Sequence, residues 1–383
     1  MINFQISYLF KFIINDQKPV SEDEEGERFM KKKLFAAMLI GTMVFGTLAG
    51  CGQGSSDKAS SASSASSASS TTSEKSDSQS KTATDGDINV TLIMSSRDEF
   101  LSTLESGAKK AAEEVGIKLT TQDAQNDQSR VIQYVETARN NGNQAVIVNL
   151  VDADAAEQII ESAGDMKVVF VNRRPSDATL LNENVVFVGS DEMQSGGYQG
   201  EYLSKYFKEM KKTDIKYLLL KGTEGLVHTE QRTESVLKGL EDNGITATEA
   251  SAPLVADYDR ATAQDMISPL ITTTDYDCII SNNDAMALGA IEALEAAGID
   301  PSTVPVVGID ATVDGCQAIA DGKMYMTVFQ DANGQGYGAC MAVINMLDGK
   351  PINDGTDFDL DDTGFISWIP FTPVTAENVS DYM

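Results

Sequence analysis

From Ile88 onward the chain alternates two textures. Short apolar runs at Val90–Met94, Ala145–Leu150, Val168–Asn172, Val185–Val188, Ile215–Leu220, Cys278–Ser281, Val306–Ile309 and Met324–Phe329 have the length and branched content of buried strands. Between them, apolar residues recur at helical spacing. Leu101, Leu104, Ala108, Ala111 and Val115 form one stripe, and Met286, Ile291 and Leu294 belong to another. Apolar strands alternating with helices predict an α/β chain with parallel sheets covered on both faces. A body of about 295 residues exceeds one ordinary domain, so two doubly wound lobes are the natural division.

Ligands of such sheets collect at the carboxyl ends of strands, so the polar residues there carry the information. Asn172 ends one run, and Asn282-Asn283-Asp284 follows Cys278–Ser281 and opens a helix. Asp310 ends Val306–Ile309, and Gln330-Asp331 ends Met324–Phe329. Phe100, Tyr258 and Arg232 lie near these points in the pattern. Taken singly, each Asn or Asp suits a helix N-cap or a loop, and Asp284 reads as such a cap. As a set they predict one polar site fed by several strands.

The residues before 88 read differently. Met30-Lys31-Lys32-Lys33, an apolar stretch from Leu34 to Leu48 and small residues before Cys51 describe an export signal. The stretch is shorter than the ~20 apolar residues that a membrane span needs. Leu48-Ala49-Gly50-Cys51 resembles the lipobox of bacterial lipoproteins, which implies lipid on Cys51 and an extracytoplasmic place at the membrane. Residues 1–29 carry an acidic patch, Glu22 to Glu27, ahead of that signal. They are expected to be an extension from a start assigned too early, with Met30 the true start. Residues 51–87, rich in Ser and Ala, read as a flexible tether. The expected lobes are 88–190 plus 330–367 and 191–329 plus 368–383.

Charge and rare residues narrow the chemistry. The net charge is -29, which argues against nucleic acid or an anionic lipid surface as partner. Cys278, Cys316 and Cys340 have no metal-type spacing and read as small buried hydrophobes. With 1 histidine in the chain, a His-based metal site or triad has little to draw on; neither metal nor cofactor is expected. No glycine-rich fingerprint follows the first strand, where Ser95-Ser96-Arg97-Asp98 stands. Gly222-Thr223-Glu224-Gly225 lacks the Lys-Thr or Lys-Ser of a phosphate loop. An enzyme is not expected.

Four segments carry a resemblance: Asp123-Ala124-Gln125-Asn126-Asp127-Gln128-Ser129, Asn149-Leu150-Val151-Asp152, Asn282-Asn283-Asp284-Ala285-Met286-Ala287-Leu288-Gly289-Ala290 and Asp331-Ala332-Asn333. In this order the chain resembles the galactose/glucose-binding proteins, within the ribose-type substrate-binding proteins of sugar ABC transporters. The resemblance implies two Rossmann-like lobes joined by a three-segment hinge, a type I periplasmic binding protein fold. It implies a monosaccharide held between them by Asp98, Phe100, Asn172, His228, Arg232, Tyr258, Asn283, Asp310 and Gln330. Carboxylates accept, amides do both, and Arg donates in a fork, which suits vicinal hydroxyls; Phe100 and Tyr258 would cover the ring's apolar faces.

Two departures bear on the ligand. The galactose/glucose type has a His where Leu226 stands and an Asp where His228 stands, so a pentose or a shifted pose is one reading. A two-residue slip of the loop, with His228 in the His role, is the other. The stretch Phe207–Asp214 matches that type's calcium loop but is basic and lacks alternating oxygen ligands, so no calcium is expected. The expected protein is a monomer that takes its sugar by hinge closure and delivers it to an ABC permease and its ATPase. The alternative is a lipoprotein that presents a sugar or autoinducer to a membrane receptor.

Overall fold

The computed structural model describes residues 88–383; the extension, export signal, Cys51 and tether expected before them lie outside the described residues. The chain first lays down β1 (Ile88–Met94), α1 (Glu99–Val115), β2 (Ile117–Asp123), α2 (Gln128–Asn140), β3 (Ala145–Val148), α3 (Ala156–Ala163), β4 (Lys167–Val171) and β5 (Val185–Gly189). It then crosses into a second lobe. That lobe runs through α4 (Glu192–Glu209), β6 (Asp214–Lys221), α5 (Val227–Asp242), β7 (Thr246–Glu249), β8 (Leu254–Val255) and α6 (Arg260–Ile271). It continues through β9 (Cys278–Ser281), α7 (Asp284–Ala296), β10 (Val306–Val307), α8 (Val313–Ala320) and β11 (Thr327–Gln330). The chain returns to the first lobe for α9 (Ala332–Asp348), β12 (Asp359–Leu360) and β13 (Ile366–Trp368), then crosses once more to β14 (Phe371–Val374).

The first sheet has the order β12-β13-β5-β4-β3-β1-β2, parallel except where β12 runs against β13. The second has the order β10-β9-β6-β7, with β8 also on β6. Bridges Val307–Met326 and Asp310–Phe329 extend it toward β11, which β14 joins antiparallel. These are two doubly wound lobes with three crossings. Gln330 ends β11 and Trp368 ends β13, each one residue beyond the expected division.

Burial explains why the apolar runs become the inner strands. Leu92, Ile93, Val146, Ile147, Val169 and Phe170 of the first sheet are closed to solvent, as are Leu218, Leu220, Ile279 and Ile280 of the second. Along α1, Leu101, Leu104, Ala108 and Ala111 are buried while Val115 is half-buried, so the stripe faces the core. Glycines let α1 and α9 meet at backbone distance. A Cβ on Gly107 would lie 2.7 Å from Asn333 Cα, closer than atoms can pack. That contact holds α1 against α9, and with it the start of α1 beside the cleft.

Candidate functional site

In the first lobe the cleft wall is built by the turns after β1 and β4. Asp98 leaves β1 in extended conformation and caps α1, its Oδ1 accepting from Leu101 N at 2.7 Å. This places Phe100 and Leu101 in the first turn at the cleft. Asn172 follows β4 with φ 65°, a left-handed conformation that Asn tolerates better than most residues. Its Oδ1 accepts from Asn149 Nδ2 at 3.1 Å, and Asn149 Oδ1 accepts from the Ser95 hydroxyl at 2.6 Å. Arg173 is buried and donates from Nη1 to Leu150 O at 2.9 Å.

The second lobe supplies a denser wall. His228 and Arg232 sit one turn apart on α5 and so share a face. Arg232 grips Glu192 with Nε–Oε2 at 2.7 Å and Nη2–Oε1 at 3.2 Å, both side chains 4% exposed. It also donates to Asn282 O at 2.8 Å and Gln330 Oε1 at 3.2 Å, while Gln330 Nε2 donates to Glu192 Oε1 at 3.1 Å. Burial alone would lower the pKa of Arg232, but Glu192, with Tyr258 and Asp310, outweighs it and raises the value. Glu192 opens α4 and Gln330 closes β11, so this knot ties residues beside two of the three crossings.

Asn283 caps α7, its Oδ1 accepting from Met286 N at 3.0 Å, which leaves the amide NH2 for the cavity. Tyr258, at φ 64°, stacks on His228 with ring centroids 5.3 Å apart. Its hydroxyl lies 2.6 Å from Thr229 Oγ1, and burial pushes its pKa up to about 12. The ring occupies the space a side chain at Gly222 would fill, which accounts for that glycine.

Burial, with Arg232 and Arg173 nearby, drives the His228 pKa well below the usual range, so the imidazole is neutral. Its Nδ1 is buried without a hydrogen-bond partner among the described residues. Asp310 is buried beside Arg232, Nη1–Oδ1 3.8 Å. Burial, assisted by Asp284, Asp98 and Glu192, raises its pKa despite Arg232. Asp310 and Ala311 adopt φ of 124° and 52°, strained conformations that cost about 1–3 kcal/mol each and cluster at functional sites.

The structure brings Asp98, Phe100, Asn172, His228, Arg232, Tyr258, Asn283, Asp310 and Gln330 to one cavity between the lobes. The cavity is small, about 30 Å³. One water needs ~10–15 Å³, so the walls stand close. Roomier grooves of about 550 and 700 Å³ lie elsewhere on the second lobe, around Tyr202 and Tyr325 and around Tyr217 and Leu237. Neither collects polar groups from strand ends, so volume does not identify the site.

Two wall residues, Leu101 and Arg173, and the supporting Glu192 escape the sequence reading. Arg173 had a signal, since it directly follows Asn172 at a strand end. Glu192 had none, because an acid in a first helical turn normally faces solvent. Asp284 is not the cap of α7; Asn283 is, and the Asp284 carboxylate turns to other partners. Leu226 is 2% exposed, precedes α5 and does not line the cavity, whereas His228 does.

The periplasmic binding protein domain family matches residues 90–351. The D-galactose/methyl-galactoside binding periplasmic protein of Haemophilus influenzae is 34% identical over 314 residues, 79% of this chain and 93% of that protein. A putative rhizopine-binding protein of Rhizobium meliloti is 30% identical over 74% of this chain and 89% of its own length. Among solved structures, an ABC transporter solute binding protein from Bacillus halodurans with bound myo-inositol superposes with a TM-score of 0.66. It is 30% identical, covering 79% of this chain and 99% of that one. With two doubly wound lobes, three crossings and a polar cleft between them, the chain belongs to the type I periplasmic binding proteins, in the group that includes the galactose- and ribose-binding proteins.

Proposed function

We propose that the cleft binds one uncharged, polyhydroxylated six-membered ring, a monosaccharide of the galactose/glucose type or a cyclitol. The observation that carries this reading is the convergence of amides, carboxylates, arginines and a neutral imidazole from both lobes on one cavity. Vicinal hydroxyls each donate and accept, and this wall offers both functions at short range. Glu192 pairs with Arg232, and Asp98 and Asp310 stand against Arg173, so the wall holds no surplus positive charge for an anionic sugar. Phe100 and Tyr258 are the flat apolar partners for the ring faces. The cyclitol side of the proposal is favoured by the myo-inositol bound to the 30% identical structure.

Contacts to both walls form together only when the cleft shuts, so binding shifts the population toward the closed form. The closed protein then docks an ABC permease whose ATPase drives release. In this reading lipid on Cys51 holds the monomeric protein at the outer face of the cell membrane. Calorimetry of the purified chain with galactose, glucose, xylose, ribose, arabinose and myo-inositol tests the ligand class. Saturable 1:1 binding of a six-membered polyol is expected. Heat only with an anionic sugar, or hydrolysis of a nucleotide, would overturn the proposal.

A further inference from the structure

Asp284 is fully buried in the first turn of α7, and among the described residues no lysine or arginine pairs with it. Its carboxylate is held by neutral donors from other elements. Thr312 N donates to Oδ2 at 2.9 Å, and the Thr327 hydroxyl donates to Oδ1 at 2.5 Å. The same Thr327 oxygen accepts from Ala311 N at 3.3 Å, and Asp284 N donates to Ile309 O at 2.7 Å. Two glycines clear the space: a Cβ on Gly308 would collide with Oδ1, and one on Gly315 with Oδ2.

The contacts at Ile309, Ala311 and Thr312 fall on the segment that carries Asp310, and Thr327 of β11 bridges the Asp284 carboxylate to Ala311 N. Asp310 and Ala311 are successive non-glycine residues at positive φ. Such a pair persists only where surrounding bonds over-determine it. Strand contacts fix part of the segment: Asp310 N donates to Val328 O at 2.8 Å, and Asp310 O accepts from Gln330 N at 3.2 Å. The far side, Ala311 and Thr312, is held through Asp284 and Thr327. Capping of α7 does not explain the carboxylate, because Asn283 already caps that helix.

We propose that Asp284 is a positioning residue: its carboxylate, cradled by Gly308, Gly315, Thr312 and Thr327, clamps the Ile309–Thr312 turn and aims Asp310 into the cleft. This rests on the reading that Asp310 accepts from a polyol hydroxyl. Neither Asp284 nor Thr327 lines the cavity, so any effect on affinity must pass through the turn.

The test compares the purified chain with Asp284→Ala, Asp284→Asn and Thr327→Val. Ligand-free crystal structures read the turn, and calorimetry reads the affinity for whichever polyol the parent binds. In Asp284→Ala the expected result is that Asp310 and Ala311 leave positive φ and affinity falls ~10-fold or more. Asp284→Asn keeps one acceptor oxygen and should recover most of that loss, with Thr327→Val intermediate. In an Asp310→Ala background the Asp284→Ala change should have little further effect on affinity, because the two act as one unit. A purely structural role would give additive losses and no rescue. If Asp284→Ala does not fold, Thr327→Val and Gly315→Ala give the same readouts. An unmoved Asp310 turn, or additive losses, would overturn the clamp. Failure of the parent to bind any polyol would overturn the ligand reading instead, while the turn geometry would still decide whether the clamp exists.

Discussion

The two walls of the cleft are built on opposite plans. In the second lobe, Arg232, Glu192, Gln330 and Asn282 form a closed network under the cavity, and Asp310 sits on a strained turn beside it. In the first lobe, Asp98 is solvent-exposed at a helix start, and Asn172 and Arg173 are the buried polar residues that line the cavity. The deep wall is pre-organised, which lowers the ordering cost of binding. The lighter wall suits contacts made last, as the lobes come together. The deep network also reaches residues beside two crossings, so a ligand bound as proposed would sit next to them.

Removing Glu192 attacks the deep wall most directly. Glu192→Ala would leave the Arg232 guanidinium buried and unpaired, a change that typically costs ~3–5 kcal/mol. Denaturant melting should show it, and no single change in the first wall should match it.

The lobes should also answer pH with opposite signs. In the first lobe, Glu105 lies under Arg97 and Lys109; burial opposes ionisation, but those partners outweigh it and bring the pKa down to about 2. Its contribution is present above pH ~4.5 and lost as pH falls toward 2. In the second lobe, burial pushes Asp284 up to about 7. Folding there takes up a proton between pH ~4 and 7, so that contribution is greatest in acid and lost as pH rises through 7. Asp284 faces Glu99, Asp310 and Cys316 as well as its neutral donors, and the raised Asp310 acts with the same sign. Hydrogen exchange read lobe by lobe from pH 4 to 8 should show second-lobe stability falling by up to a few kcal/mol. Asp284→Asn should flatten that slope. An unchanged slope would assign it to other groups.

Smaller effects separate binding from closure. Asp310→Ala should weaken polyol binding by ~1–3 kcal/mol while leaving the Arg232–Glu192 pair intact. Asp98→Ala removes a cap worth ~0.5–2 kcal/mol and one ligand group, so affinity should fall less than with Asp310→Ala. The smallest change concerns Glu99, a first-lobe residue that accepts from Val313 N of α8 and faces Asp314. Glu99→Gln keeps an acceptor and removes the Asp314 repulsion, which exceeds the Arg260 attraction lost with it, so affinity should rise by up to a factor of ~2 at low salt and return toward the parent value in high salt.

Much of this arrangement is legible in the sequence where one physical signal dominates. Inner strands such as Ala145–Val148 and Cys278–Ser281 are buried throughout and apolar but for the final Ser281, because both faces are covered. The edge strands Ile117–Asp123 and Thr246–Glu249 are mostly polar, and β12 to β14 are short, so no run marks them. At the site, Asn172, Asn283, Asp310 and Gln330 announce themselves by standing at strand ends. Phe100, Arg232 and Tyr258 lie near those points in the pattern, whereas Asp98 and His228 enter only through the family resemblance. Glu192 gives no signal and Asp284 reads only as a cap, because acids at helix starts usually meet solvent and only tertiary burial gives them another role.

The account stands on the two walls meeting around one ring. Small-angle scattering of the purified chain during a polyol titration, followed in parallel by emission of Trp368 beside the third crossing, tests this most directly. The expected result is compaction and an emission change that saturate together at one equivalent, both shifted to ~5–150-fold higher polyol concentration in Asp310→Ala. Saturable binding with neither compaction nor an emission change would contradict it.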